Sequence, residues 1–192
     1  MKRSLLFVLV SVMTVCGVGV AHGKECQGIN FPEQAQVDGG TLKLNGLGLR
    51  QATVFKVNVY VAALYVANVS SDAHALLGSN TTKELILHFV HNVSDDDLKK
   101  AWEEGFVHNA KEQLPALHER IEMLKGWMTN MQSGQRLTFI HKPGVGLQVD
   151  VHGKVQGLIK GDDFATAFLS IWLGAHPPNS GLKSGLLGGA CE

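Results

Sequence analysis

The chain has 192 residues, and its 17 lysines and arginines are balanced by 17 aspartates and glutamates, which makes the formal net charge zero. Hydrophobic residues make up 45% of the sequence, and this excludes an intrinsically disordered chain, because disorder requires low hydrophobicity and high net charge. The lack of a basic excess also excludes a protein that binds nucleic acid by bulk charge.

The first residues have the layout of a secretory signal peptide. Lys2 and Arg3 form a short positive region, residues 5–15 are almost entirely apolar, and small residues follow. We therefore predict a signal peptide over residues 1–23 and an exported domain, periplasmic or secreted, over residues 24–192. The apolar run is shorter than the roughly 20 residues of a membrane span, so no stable membrane insertion is expected after cleavage. A retained N-terminal anchor is the alternative.

Two cysteines remain in the predicted mature chain, one near each end. Export places Cys26 and Cys191 in an oxidising compartment, where paired cysteines usually form a disulfide. Such a bond would join the two ends of the domain. The alternative is a pair of free thiols at frayed chain ends.

Strand patterns come first in the mature chain. Residues 41–66 alternate in polarity and then become rich in β-branched and aromatic residues, which predicts two or three strands interrupted at Gly46-Leu47-Gly48. A short helix is predicted over residues 70–77, with Ser70 or Ser71 as its N-cap, and a strand over residues 84–90.

In the second half of the chain, the spacing of hydrophobic residues is helical in some segments and strand-like in others. Ser94 followed by three aspartates predicts a helix start, and Pro115 is expected to interrupt the helical pattern. The predicted elements are helices over 95–113 and 117–131, strands over 136–141, 147–152 and 155–159, a helix over 164–173, and an irregular tail over 181–192. Strands and helices in separate runs favour an α+β fold with an antiparallel sheet.

The motifs that would indicate a metal or a cofactor are weak. His88 and His91 are three residues apart at a strand, so their side chains would point to opposite faces and could not share a metal ion. Gly46-Leu47-Gly48 lacks the third glycine of a dinucleotide fingerprint, because Gln51 stands in its place. No metal and no cofactor is predicted.

The predicted strand over residues 53–66 has one apolar face and one face that begins with polar residues. Lys56, Asn58 and Tyr60 share the polar face, and Arg50 lies just upstream with the same parity. An arginine beside a tyrosine can form an anion site, because the guanidinium binds a carboxylate bidentately and the phenol adds a donor. The alternative is a solvated polar face without a specific role.

Two stretches of this sequence resemble the chalcone isomerase superfamily. They are residues 44–66, which read LNGLGLRQATVFKVNVYVAALYV, and residues 164–174, FATAFLSIWLG, followed by Pro177. The resemblance spans roughly residues 28–188, and the signal peptide makes the chain similar to the exported bacterial branch. The implied fold is an open-faced β-sandwich, in which helices cover one face of a large antiparallel sheet and a ligand cleft lies between them.

The resemblance also implies roles for single residues. Arg50 matches the arginine that holds the substrate oxyanion in true chalcone isomerases. Tyr60 stands where those enzymes have a threonine and matches the tyrosine that holds a carboxylate in the fatty-acid-binding branch. On the first long helix, the tyrosine, lysine and asparagine of the isomerases are replaced by Leu98, Ala101 and Gly105.

These replacements favour binding over catalysis. We expect a protein that binds a fatty acid or similar amphiphilic carboxylate through Arg50 and Tyr60, with Asn58 and Lys56 as further candidates. An isomerase-type enzyme (an intramolecular lyase) that uses Arg50 as oxyanion holder is one alternative. A protein that uses the cleft for partner contact without catalysis is the other.

Overall fold

The structure is a computed structural model that describes residues 23–192. The predicted signal peptide therefore lies, apart from Gly23, outside the described residues. Nine strands, five α-helices and one short 3-10 helix (Lys111–Gln113) are formed within the described part. They are β1 (Gly23–Cys26), β2 (Ile29–Pro32), β3 (Gln34–Val37), β4 (Gly40–Ala52), β5 (Val57–Val66), α1 (Ala73–Gly78), β6 (Lys83–Phe89), α2 (Asp95–Asn109), α3 (Leu114–Gly126), β7 (Arg136–Lys142), β8 (Gly146–Val151), β9 (Lys154–Lys160), α4 (Asp162–Leu173) and α5 (Ser180–Leu186).

Strands β3 to β9 form one seven-stranded sheet in which every strand pairs antiparallel with its neighbour in the chain. Strands β1 and β2 form a separate hairpin. All five helices contribute buried residues to one face of the large sheet. The predicted fold class is confirmed: an α+β chain with a large antiparallel sheet and helices layered on one face. No helix in the described part is long and apolar enough to cross a membrane.

The sheet has a buried cluster on each face. Strand β5 serves both, because alternate residues of a strand point to opposite sides. Ala62 and Leu64 pack in the cluster on the helical side, while Val61 and Ala63 pack in the cluster on the other side. The strand is therefore apolar on both faces beyond Tyr60, and the polar face predicted from the sequence is confined to its beginning.

The β1–β2 hairpin covers the sheet face that has no helices. Phe31 is buried there, and the Tyr65 hydroxyl donates to the Pro32 carbonyl oxygen at 2.9 Å. A disulfide joins Cys26 to Cys191 with a Cα–Cα distance of 6.0 Å, so the predicted pairing is confirmed. The bond fastens the hairpin to the C-terminal segment.

The glycines of residues 46–48 do not interrupt the strand. They lie inside β4, where helix α5 packs directly on the backbone. A Cβ on Gly46 would lie 2.1 Å from the carbonyl oxygen of Gly185, and one on Gly48 would lie 2.2 Å from that of Leu182. Only glycine allows this contact. The prediction of an irregular tail over residues 181–192 was wrong for residues 181–186, which belong to α5, because this close packing stabilises a helix that its own glycine content disfavours. Residues 187–192 form no helix or strand, as predicted.

Other predicted boundaries differ in detail. Ser94 caps α2 as predicted, accepting from the Asp97 amide at 3.1 Å. The cap of α1 is Asp72, which accepts from the His74 amide at 2.8 Å, and not Ser70 or Ser71. Pro115 lies in the first turn of α3, which begins at Leu114, and is tolerated there because a proline in the first turn loses no hydrogen bond; α2 has already ended at Asn109.

Candidate binding cavity

A cavity of about 730 Å³ lies between the β4–β5–β6 part of the sheet, helix α2 and the segment that follows α4. Its inner wall is buried and mostly apolar, whereas its rim carries exposed polar and titratable residues. The inner wall includes Val59, Tyr60, Phe89, Leu98, Trp102 and Ile171, and the rim includes His91, Asn92, Asp97, Glu104, His108 and His176. The volume is within the usual range for small-molecule sites.

Arg50 and Tyr60 both line this cavity and are paired directly across β4 and β5. Arg50 is half-buried, and its Nη1 donates to the carbonyl oxygens of Gln51 and, at 3.3 Å, of Pro178. Within residues 23–192 its Nε and Nη2 have no hydrogen-bond partner, and no carboxylate forms an ion pair with it. The Nε–Nη2 edge is the one that can bind a carboxylate through two parallel hydrogen bonds.

The Tyr60 hydroxyl is held by a tryptophan. Nε1 of Trp172 donates to this hydroxyl at 3.0 Å, so the oxygen acts as acceptor and its own proton is left to donate elsewhere. Burial raises the pKa of Tyr60 to about 12, although the Trp172 hydrogen bond and the Arg50 charge act in the opposite direction. The phenol is therefore neutral at physiological pH, and it can donate a hydrogen bond to an anion.

Lys56 and Asn58 do not join Arg50 and Tyr60. The pairing of β4 and β5 shifts by one residue between Arg50 and Gln51, which moves Asn58 out of line with Tyr60. Asn58 accepts from the Gln51 side chain at 3.1 Å and donates to that of Gln27 at 3.0 Å. Lys56 lies in the β4–β5 loop. Neither residue lines the cavity.

The three positions of α2 that the resemblance implied do line the cavity. Leu98, Ala101 and Gly105 are spaced by three and four residues, so they share one helix face. A Cβ on Gly105 would lie 2.8 Å from Cγ2 of Ile171, so glycine also permits the close approach of α2 to α4. These three positions supply no side-chain donor or acceptor for a polar substrate.

Trp102 and Trp172 lie side by side under the cavity, with ring centroids 5.7 Å apart. Both are almost fully buried. Nε1 of Trp102 has no hydrogen-bond partner within the described residues, whereas Nε1 of Trp172 is paired with Tyr60. Trp172 was missed as a site residue in the sequence, since its helical spacing from Phe164 and Phe168 indicates only a core position.

A second buried polar cluster lies away from the cavity. Lys83 and His141 are both almost fully buried, with Nζ 3.5 Å from Nδ1, and His141 Nε2 lies 2.9 Å from Asp162 at the start of α4. Burial lowers the pKa of Lys83 to about 8, although the Asp162 charge acts in the opposite direction, and burial also lowers that of His141. Lys83 donates to the carbonyl oxygens of Ser79 and Thr81, in the segment between α1 and β6, so the cluster fastens this segment and the start of α4 to the sheet.

No group of three or more histidine, cysteine or acidic side chains within residues 23–192 is arranged to hold a metal ion. His88 accepts from Arg136 Nε at 2.8 Å, and His91 is at the cavity rim.

Comparison with known proteins agrees with this architecture. The chain matches the family described as chalcone isomerase-like over residues 23–188, and it belongs to that family. Among solved structures it is similar to a fatty-acid binding protein of Arabidopsis thaliana, with 16% identity and a TM-score of 0.66. The match covers 83% of this chain and 92% of the plant protein, and it shows a shared fold. A search of curated proteins found no match.

Proposed function

We propose that this chain is an exported, non-catalytic binding protein for a fatty acid or similar amphiphilic carboxylate. The observation that carries the proposal is the Nε–Nη2 edge of Arg50, which has no partner within the described residues and belongs to a residue that pairs with Tyr60 across β4 and β5 at the wall of a largely apolar cavity. The similar plant structure is that of a fatty-acid binding protein, which supports the same ligand class.

The clamp would hold the carboxylate by three donors. Two come from the guanidinium edge of Arg50, and the third is the Tyr60 proton, which the Trp172 hydrogen bond leaves available. A half-buried cation without a carboxylate partner among residues 23–192 favours an anionic ligand, because partial desolvation strengthens the attraction between opposite charges. The alkyl chain would lie against the apolar wall formed by Leu98 and its neighbours.

The same residues argue against chalcone cyclisation. The resemblance implies that an isomerase orients its substrate with polar groups on the first long helix, and Leu98, Ala101 and Gly105 supply none. Tyr60, with a pKa of about 12, is a poor base at neutral pH. Arg50 could still hold an oxyanion, so enone turnover is a necessary arm of the test.

Export is part of the proposal. The disulfide between Cys26 and Cys191 fits an oxidising compartment, and residues 1–23 have the pattern of a signal peptide. We propose that residues 24–192 form the mature domain of an exported bacterial member of the family, located in the periplasm or secreted. Mass spectrometry of the protein from a periplasmic fraction would give its N-terminus, and retention of residues 1–23 would contradict this part.

The binding test compares a fatty acid with its methyl ester. The periplasmic protein is examined by native mass spectrometry with lipid extraction, and then by titration with palmitate and methyl palmitate. Arg50→Ala should weaken palmitate binding about 10- to 100-fold, and Tyr60→Phe about tenfold, because hydrogen bonds to a charged group contribute about 1.5–3 kcal/mol. Ester binding should change little in either variant.

Lys56→Ala is the matched control, since it removes a nearby cation that does not line the cavity. It should leave palmitate affinity unchanged. Equal affinity of the wild-type protein for the acid and the ester, or unchanged palmitate binding in Arg50→Ala, would refute the clamp. Turnover of a chalcone or another enone that disappears in Arg50→Ala would replace the binding function with an enzymatic one.

A further inference from the structure

The loop between β4 and β5 presents two apolar side chains to solvent. Val54 is 91% exposed and Phe55 is 85% exposed, the highest values among the large hydrophobic residues of the described chain. We call residues 53–56 the apolar tip. An aromatic side chain in this position makes almost no contact with the rest of the protein, so neither core packing nor fold stability accounts for it.

The apolar tip stands at the mouth of the cavity. Thr53 and Val57, which flank the two exposed side chains, both line the cavity. Helix α2 contributes Asp97, Glu104 and His108 to the same rim. The exposed apolar side chains are thus directly adjacent to cavity-lining residues, and Lys56, which does not line the cavity, follows Phe55 on the loop.

The backbone conformation of the loop does not explain why threonine, valine, phenylalanine and lysine occupy it. Thr53 and Lys56 have φ angles of 62° and 51°, in the left-handed region that favours glycine, asparagine or aspartate. A β-branched residue with such a φ is unusual. A turn selected only to connect two strands would carry glycine or asparagine here and polar residues at its centre.

We propose that the apolar tip docks the protein on the surface of a lipid bilayer, with Val54 and Phe55 inserted and Lys56 at the level of the lipid phosphates. Loading or release of the cavity ligand at the bilayer would follow; that consequence rests on the proposed function, whereas docking itself does not. Tyrosine, tryptophan and phenylalanine beside basic residues are typical of surfaces that lie in a membrane interface.

A second copy of the chain fits the tip less well. Phe55 can bury at most about 250 Å² and Val54 less, whereas a stable interface requires about 800 Å² per partner. A bilayer needs no complementary surface, so two projecting side chains suffice for weak and reversible attachment. The position of the tip beside the opening of an apolar cavity also fits a lipid surface, because ligand could pass without crossing bulk water.

The test is co-sedimentation of the periplasmic protein with vesicles of phosphatidylethanolamine and phosphatidylglycerol. The double variant Val54→Ser/Phe55→Ser should lower the vesicle partition coefficient about tenfold or more, since it removes both inserted side chains. Phe55→Trp should retain binding and report insertion through quenching by brominated lipid. Val155→Ser is the matched control, because Val155 is 54% exposed and does not line the cavity. It should bind vesicles as the wild type does.

Any result other than these would overturn the proposal that the apolar tip docks on a bilayer. Absence of wild-type binding would refute it, as would unchanged binding of the double variant or an equal loss in Val155→Ser. A dimer that dissociates in the double variant, without vesicle binding by the wild type, would assign the tip to a second copy. Palmitate affinity in solution is measured in parallel and should be unchanged by the tip substitutions, so a failed carboxylate clamp and a failed docking site give different results.

Discussion

The hydrogen bond from Trp172 to Tyr60 can be measured against an internal reference, because the neighbouring Trp102 lacks such a bond within the described residues. The change is Trp172→Phe, with Trp102→Phe as its control. Both tryptophans are almost fully buried and lose the same atoms, so the loss of packing is similar in kind. Only Trp172→Phe removes a donor from a buried hydroxyl.

The magnitude follows from what each variant leaves behind. A typical hydrogen bond contributes about 0.5–1.5 kcal/mol, and a buried polar group left without its partner costs about 1–3 kcal/mol. A double-mutant cycle of Trp172→Phe with Tyr60→Phe should therefore give a coupling energy of about 1–2 kcal/mol. The cycle of Trp102→Phe with Tyr60→Phe should give a value near zero, because these two polar groups are not bonded.

Urea unfolding followed by far-ultraviolet circular dichroism measures the single and double variants without relying on tryptophan emission. Equal slopes of free energy against urea are required before the energies are compared. Equal coupling in the two cycles would refute the assignment of the Tyr60 oxygen as acceptor from Trp172. The inference that the Tyr60 hydroxyl proton is free to donate to a ligand would then lose its support as well.

Three further predictions concern stability. Cys26→Ala/Cys191→Ala should lower the free energy of unfolding by about 5 kcal/mol in urea titrations, because the bond closes a loop with a sequence separation of 165; a change below about 1 kcal/mol would contradict this. Gly48→Ala should lower the thermal midpoint by several degrees or prevent folding, since its Cβ would lie 2.2 Å from the Leu182 carbonyl oxygen, whereas Gly126→Ala, at the end of α3 with nothing within 4 Å and no left-handed φ, should cost much less. Burial lowers the pKa of His141, so around and below pH 6.5 the unfolded chain binds more protons than the folded one. The free energy of unfolding should therefore decrease from pH 7.5 to pH 5.5, and it should depend less on pH in His141→Gln. An equal pH dependence in the variant would exclude His141 as its source.

Most strands and the long helices were predictable, because their hydrophobic pattern repeats over many residues and the residues that cap the helices are adjacent in sequence to the helix ends. Ser94 and the three aspartates after it define the start of α2 whatever the rest of the chain does. Helix α5 was not predictable, since Gly185 and its neighbours disfavour a helix by themselves. The helix depends on contact with Gly46 and Gly48, more than 130 residues earlier in the chain, and such contacts leave no local signal.

The candidate site likewise combines features that the sequence predicts with features that only the tertiary fold reveals. The sequence placed Arg50 and Tyr60 on one face by strand parity, but they meet because β4 and β5 form a hairpin that turns between Ala52 and Val57 and pairs the two residues directly at one cavity. The shift in β-strand pairing after Arg50 removed Asn58 from that group, and strand parity alone does not reveal such a shift. Trp172 comes to Tyr60 across the sheet–helix interface, 112 positions away in sequence, which only the tertiary fold can show.

The bond between Cys26 and Cys191 has a consequence for the order of events during biosynthesis. Cys26 emerges 165 positions before Cys191, so its thiol stays without its native partner until nearly the whole domain has been made. A chain interrupted before Cys191 leaves Cys26 on the β1–β2 hairpin without its native partner, whereas the completed chain supplies it. The Cys26–Cys191 disulfide can therefore form only after synthesis has reached the far end of the domain.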